Sequence, residues 1–213
     1  MSGRVTVRRA GADEAAAIAT VLGEASLDEA VVGWVVPDER IRRDRLTSGA
    51  EQTVGWVLGV LATGEILVAQ DDSGGIGGLS LWEYTDGDAV APGPAPEELT
   101  AVFAQAYGEY APRMALVHEL TQRRHPRDEP HWYLQLMVVL PDHRGRGLGG
   151  AMLAHQLARA DADGVAAYLE ASTPRNRKLY ERHGFRALGA PIVLPDGGPG
   201  IQPMWRPAVT PVT

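Results

Sequence analysis

The sequence predicts a mixed α/β fold, and three observations carry that prediction. From Trp132 to Leu169 an apolar run, a helical pattern and a second apolar run follow one another, which reads as a βαβ unit. Two hairpin patterns, one turning at Asp71–Gly75 and one at Asp196–Gly200, bracket the rest. The chain of 213 residues is 45% hydrophobic, enough for one sizeable core.

Each element has its own warrant. Val5–Arg9 alternates and reads as a strand. Ala12 to Ala25 has helical spacing, with Asp13 and Glu14 placed to favour a helix start. Trp34-Val35-Val36-Pro37 is an apolar kink, and Pro37-Asp38 opens a second helix expected to run to about Leu61 across Gly55 and Gly59. Glu65–Gln70 and Ile76 to Tyr84 form the first hairpin. Asp86 to Pro96 holds prolines and glycines and reads as a loop. Glu97 to Arg124 is a long helical segment with a kink expected at Pro112. Trp132 to Leu140 is nearly continuously apolar, the pattern of a strand buried on both faces. Leu148, Met152, Leu153 and Leu157 lie at helical spacing in a helix to Ala162, and Val165 to Leu169 is another buried strand. Arg175 to His183 is a short helix stopped by Gly184. Phe185 to Leu194 and Ile201 to Arg206 are the last strands, and the tail from Pro207 is expected to fray.

Composition narrows the function classes. Net charge is −7, which argues against nucleic-acid and anionic-membrane partners. No run of 18 apolar residues suggests a spanning helix, and Met1–Arg4 leads into a strand with no apolar signal region. With no cysteine, thiolate zinc sites and cysteine nucleophiles are excluded, and the expectation is a cytoplasmic protein. The six histidines show no metal spacing, so no metal is expected. Lys178 is the one lysine among 20 basic residues, a bias that suggests a GC-rich bacterial genome.

The stretch with most chemistry is Val138-Val139-Leu140-Pro141-Asp142-His143-Arg144-Gly145-Arg146-Gly147-Leu148-Gly149-Gly150. A strand ends, a basic glycine turn follows, and a helix opens at once. Free N–H groups and the helix dipole there favour an anion, so a phosphorylated ligand is expected. Gly147 and Gly149 lack Cβ atoms and let backbone approach phosphate oxygens, while Arg144 or Arg146 adds a charge-assisted contact. No Gly-x-x-x-x-Gly-Lys-Ser/Thr occurs. Gly145, Gly147 and Gly150 do satisfy Gly-x-Gly-x-x-Gly, with Glu170 downstream as a ribose partner. Against a dinucleotide fold, Pro141 to Arg144 separate strand from glycines and only 63 residues follow Gly150.

The spacing Arg144-x-x-Gly147-x-Gly149 resembles the acyl-CoA signature of the GNAT N-acetyltransferases. Val139-x-Pro141 is similar to the end of that family's fourth strand, and Leu179-Tyr180-Glu181-Arg182-His183-Gly184-Phe185 resembles its Tyr-Glu-x-x-Gly-Phe segment. Within the family, His125 to Leu134 and Glu170 to Asn176 look like puromycin N-acetyltransferase and its bacterial relatives. The resemblance implies a GNAT-type, mostly antiparallel sheet with splayed strands 4 and 5, flanked by helices, with an extra helical segment before strand 4. It implies one acetyltransferase domain over residues 1–213, its acceptor side mainly 12–130 and its acetyl-CoA side mainly 131–190.

The same resemblance implies residue roles. Gly145, Arg146, Gly147, Leu148, Gly149 and Gly150, with Arg144, hold the diphosphate of acetyl-CoA. Backbone of Met137, Val138 and Val139 pairs with its pantetheine arm, and a strand N–H polarises the thioester carbonyl. Tyr180 is the expected acid that protonates the leaving thiolate. Glu170 is one candidate base, beside His118, Glu119, Glu83 and water. Asn176 either caps the last helix or touches the cofactor; the commoner family pattern places Asn where this chain has Thr173. Apart from the resemblance, Trp34, on the apolar kink between two helices, is the aromatic residue expected to line the acceptor pocket.

The leading expectation is acetyl transfer from acetyl-CoA to a primary amine of a small molecule, such as an antibiotic. Protein or peptide acetylation and non-catalytic acyl-CoA sensing are the alternatives. Hairpin edges offer surfaces for pairing into a homodimer.

Overall fold

The computed structural model describes residues 5–72, 74–87 and 96–209, so most of the expected Asp86–Pro96 loop and the end of the tail lie outside the described residues. The strands are β1 (Thr6–Arg9), β2 (Glu65–Gln70), β3 (Ile76–Thr85), β4 (His131–Val139), β5 (Ala166–Ala171), β6 (Arg186–Ala187), β7 (Ile192–Val193) and β8 (Gly200–Arg206). The helices are α1 (Ala15–Ser26), α2 (Ala30–Val35), α3 (Glu39–Ser48), α4 (Ala50–Thr63), α5 (Pro96–Tyr107), α6 (Ala111–Gln122), α7 (Leu148–Ala162) and α8 (Pro174–Arg182). The sheet runs β1-β2-β3-β4-β5-β8-β6, with β7 also on β8. Every pairing is antiparallel except β4 with β5.

Strand periodicity sends alternate residues to opposite faces. In β2, Ile66 and Val68 pack with Ile18, Val21, Leu79 and Leu81 in the core under α1 and α4. Leu67 packs the other way, with Trp82, Leu153, Leu157, Leu169 and Phe185 in the core under α7 and α8. The expected hairpins, βαβ unit and helical segment before the fourth strand are present, and the architecture is the mixed, mostly antiparallel one the sequence predicts.

Four local expectations are corrected. The apolar kink at Trp34 is a helix, α2, capped by the Glu29 carboxylate on the amides of Val31 and Val32 at 2.8 and 2.9 Å. The expected second helix is two, α3 and α4, broken at Gly49 rather than slowed at Gly55 and Gly59. The long segment after Pro96 breaks at Gly108, whose φ of 53° suits glycine, and Pro112 sits in the first turn of α6 without kinking it. The strand expected from Phe185 to Leu194 is only β6 and β7. Between them Gly189 has φ 70° and Pro191 has no amide to give a ladder.

Candidate active site

The loop between β4 and α7 is built to leave amides free. After β4 the Leu140 amide bonds the Gly77 carbonyl at 2.9 Å, and a single 3-10 turn spans Pro141–His143. Gly145 and Gly147 then take φ of 78° and 91°, and Gly147 immediately precedes α7. A Cβ at either would meet nothing within 4 Å, so the backbone conformation, not lack of space, requires glycine there. The first amides of α7 have no intrahelical acceptor and point out of its positive end. At Gly149 the Leu179 and Met137 side chains come within 3.5 and 3.7 Å of where a Cβ would stand.

Both arginines of the loop already have carboxylate partners. Arg144 Nε donates to the Val139 carbonyl at 3.0 Å, and its guanidinium pairs with Asp28, one bond being 2.8 Å. Arg146 meets Asp71 at 2.9 Å, and His143 bonds the same Asp71 oxygen at 2.9 Å. The groups left unpaired at this loop are therefore backbone amides rather than guanidiniums.

The parallel pairing of β4 with β5 runs from His131 opposite Ala166 to Leu134 opposite Leu169 and stops. At the same point the β3–β4 register slips: Leu81 faces Leu136 but Trp82 faces Leu134, leaving Gln135 as a bulge. From Leu136 to Val139, β4 keeps β3 on one side and has no strand paired on the other among the described residues. An extended amide-bearing chain can pair with that free edge. The expectation that β4 is buried on both faces is thus corrected: Gln135 is exposed, and Leu136, Met137 and Val139 are only partly buried.

Glu170 is the first β5 residue beyond the paired stretch. The Tyr133 hydroxyl donates to Glu170 Oε2 at 2.9 Å, and the carboxyl is buried. Burial pushes this carboxyl up to about 7, against the smaller opposing pulls of the Tyr133 and Tyr168 hydroxyls. The partner strands place Tyr133, Tyr168, His131 and Glu83 on the same face, with Gln135 donating to Glu83.

Tyr180 projects from α8 into the core beneath α7, 5% exposed, with its ring 6.0 Å from that of Phe185. Burial and then the charge of Glu29 raise its pKa, so the phenol stays protonated across the neutral range. Tyr107 of α5 is raised by the same two causes in the same order. Glu29 thus influences both phenols, and the adjacent Asp28 holds Arg144, so the α1–α2 turn touches both the loop into α7 and the surroundings of Tyr180 and Tyr107.

The other expected residues have these settings. Thr173 caps α8 by accepting from the Asn176 amide at 3.1 Å, so Asn176 is not the cap and its side chain is half-buried in the first turn. Trp34 donates its indole N–H to the Pro195 carbonyl at 3.1 Å, and Arg113 lies 5.1 Å over its ring. Trp34 is a post joining α2 to α6 and β7. Glu119 is exposed and paired with Arg123, and His118 packs on Phe103 at 5.8 Å, its pKa lowered by burial.

Sequence reasoning gave no role to Tyr168, Asp28 or Glu29, and it noted His125, His131 and Tyr133 only within the stretch that carried the family resemblance. A usable signal lay in His131, Tyr133 and Gln135, polar or amphipathic groups at every second place of an otherwise apolar strand. Among the described residues no group of three or more acidic or histidine side chains is placed to hold a metal. No helix of the described residues is long and apolar enough to cross a membrane.

Comparison with known proteins gives a consistent picture. Residues 62–187 match the model of the acetyltransferase (GNAT) domain. A Corynebacterium glutamicum protein, described as histone acetyltransferase HPA2 and related acetyltransferase, is 30% identical over 100% of both chains, with a TM-score of 0.70. Arylalkylamine N-acetyltransferase 2 of Aedes aegypti is 12% identical over 97% of this chain and 100% of its own, at a TM-score of 0.64. The Drosophila melanogaster polyamine N-acetyltransferase that forms N-acetylagmatine is 14% identical over 96% and 100%, at 0.55. At such identity the two insect proteins share the fold.

Proposed function

The chain belongs to the GNAT acetyltransferases, and from that premise we propose that it acetylates the primary amine of a small molecule. The single observation that carries this reading is Glu170, a buried carboxyl pushed up to about 7, at the point where β4 and β5 part. A base with that affinity for protons suits removal of a proton from an ammonium near neutral pH. Acetyl-CoA, the donor of this family, supplies an activated thioester carbonyl.

The residues divide the work as follows. Amides of Gly145, Arg146, Gly147, Leu148, Gly149 and Gly150 bind the diphosphate, with Arg144 and Arg146 free to help when released from Asp28 and Asp71. The gap-side backbone of Met137, Val138 and Val139 orients the arm and polarises the carbonyl. Asn176, in the first turn of α8, contributes a cofactor contact. Glu170 takes the ammonium proton. Tyr180, kept protonated by burial, gives a proton to the departing sulfur. Trp34 contributes by holding α2 in place as a wall of the acceptor side.

The likeness of residues 125–134 and 170–176 to puromycin N-acetyltransferase puts aminonucleoside antibiotics in the set of acceptors to try. The insect neighbours are named for arylalkylamines and polyamines, which adds those classes. The test is thiol release from acetyl-CoA with such a panel. No release above background hydrolysis with any amine sinks the proposal. The name of the Corynebacterium neighbour favours one second reading, acetylation of a protein amine. Incubating cell extract with the enzyme and labelled acetyl-CoA separates the two: label on small molecules supports the first, label on protein the second.

A further inference from the structure

Several buried polar atoms lack a hydrogen-bond partner among the described residues, and one of them, His125 Nδ1, belongs to a ring packed against Tyr133 and Tyr168. The His125 ring lies edge-on to Tyr133 at 4.7 Å and to Tyr168 at 4.9 Å, and Tyr133 bonds Glu170 at 2.9 Å. Folded proteins leave few buried polar atoms unmatched, and each specific case calls for an explanation.

The hydrogen-bond pattern decides what kind of atom His125 Nδ1 is. His131 Nδ1 lies 2.9 Å from the Glu129 carbonyl, which can only accept, so that nitrogen carries the hydrogen. Burial lowers the affinity of both rings for a second proton, to about 4 for His125, so both are neutral at pH 7. His131 Nε2 is then bare. It lies 3.1 Å from His125 Nε2, which must therefore carry a hydrogen. That leaves His125 Nδ1 with an unused lone pair. A carbonyl two rings away thus makes His125 an acceptor on the face that carries Glu170.

We infer that His125 is a specificity-determining residue: its Nδ1 receives a second N–H or O–H donor of the acetylated amine, and His131 positions it by fixing the tautomer. The inference rests on the transferase reading above and narrows its substrate class to primary amines that carry another donor, such as amino alcohols, diamines and amino amides. Glu170 takes the reacting ammonium. An analogue without the second donor leaves His125 Nδ1 unpaired, and sites built around such a bond discriminate strongly against the analogue that lacks it.

Two measurements on the full chain test this. Long-range proton–nitrogen NMR at pH 7.5, assigned with His125→Phe and His131→Phe, should show His131 as the Nδ1–H form and His125 as the Nε2–H form. A charged His125, or His125 with hydrogen on Nδ1, overturns the inference. The second is kcat/KM for matched primary amines with and without the extra donor. The wild type should favour the donor-bearing member about tenfold or more. His125→Phe keeps the ring against Tyr133 and Tyr168 and should erase the preference. His131→Gln, whose amide oxygen can accept from His125 Nε2, should retain it, whereas His131→Leu should weaken it. A preference that survives His125→Phe overturns this inference alone; absence of turnover with every amine overturns the transferase reading as well.

Discussion

At the residue scale the proposed chemistry rests on two groups whose surroundings shift them for opposite tasks. Tyr180→Phe removes the proposed acid while keeping the ring against Phe185. We expect kcat to fall about a hundredfold or more, with KM for acetyl-CoA little changed; steady-state kinetics with any working amine checks this. Glu170 allows a pH experiment whose sign follows from its shift. The wild-type kcat/KM should rise through about pH 7 as the carboxyl ionises, and Glu170→Gln should lose that limb along with most of the rate. The same shift has a stability consequence. The native carboxyl holds its proton up to about 7 and the unfolded one only to about 4.5, so between those values the unfolded state loses its proton first and stability falls as pH rises. The loss is about 3 kcal/mol by pH 8. Glu170→Gln should therefore melt above the wild type at pH 8, with the gap closing toward pH 5. Equal melting temperatures at both values would show that the carboxyl is not held in a costly state.

At the scale of elements, the loop into α7 and the bulge in β4 do the positioning. Gly147 needs its positive φ, so Gly147→Ala adds strain of about 1 kcal/mol and tilts the first amides of α7. Coenzyme A should bind about tenfold more weakly by calorimetry, with only a small drop in melting temperature. A large drop with unchanged binding would assign the glycine to folding rather than to the anion. The bulge at Gln135 and the end of the β4–β5 ladder fall at one place, just beyond the register that sets Tyr133 on the face of Glu170.

At the scale of the molecule, one ion pair ties the last strand to α7. Arg206 of β8, 8% exposed, meets Asp161 of α7 at 2.6 and 2.7 Å and donates to the His183 carbonyl after α8 at 3.0 Å. Arg206→Ala leaves Asp161 without its main partner and should cost about 3 kcal/mol in urea unfolding at pH 7. The Arg206 hydrogen bond holds the Asp161 carboxyl below its usual value, burial opposing it. That contribution is complete above the ordinary carboxylate range and is lost as pH falls, so the variant's deficit should shrink in acid. A deficit that stays constant down to pH 3 would place the effect in packing instead.

The sequence alone was enough for features whose cause is local. Alternation in β1 and β2, the helical spacing of α7, the turns of the hairpins and the glycine-rich helix start each depend on neighbours a few residues apart. Where several local signals competed it misled: Gly49 rather than Gly55 broke the helix, and the Glu29 cap made a helix of what looked like a kink. The tertiary structure alone decided which side chains share the site. Tyr133 and Glu170 are 37 residues apart and meet only because β4 and β5 pair in one parallel register. His125 reaches them from the connection between α6 and β4, and Asp28 reaches Arg144 across 116 residues. Periodicity along a chain carries no record of which strand lies beside which, or of how far a ladder runs before it opens. Those choices are made by burial of two apolar faces and by the pairing of every backbone amide the fold can reach, and the site occupies the place where that pairing stops.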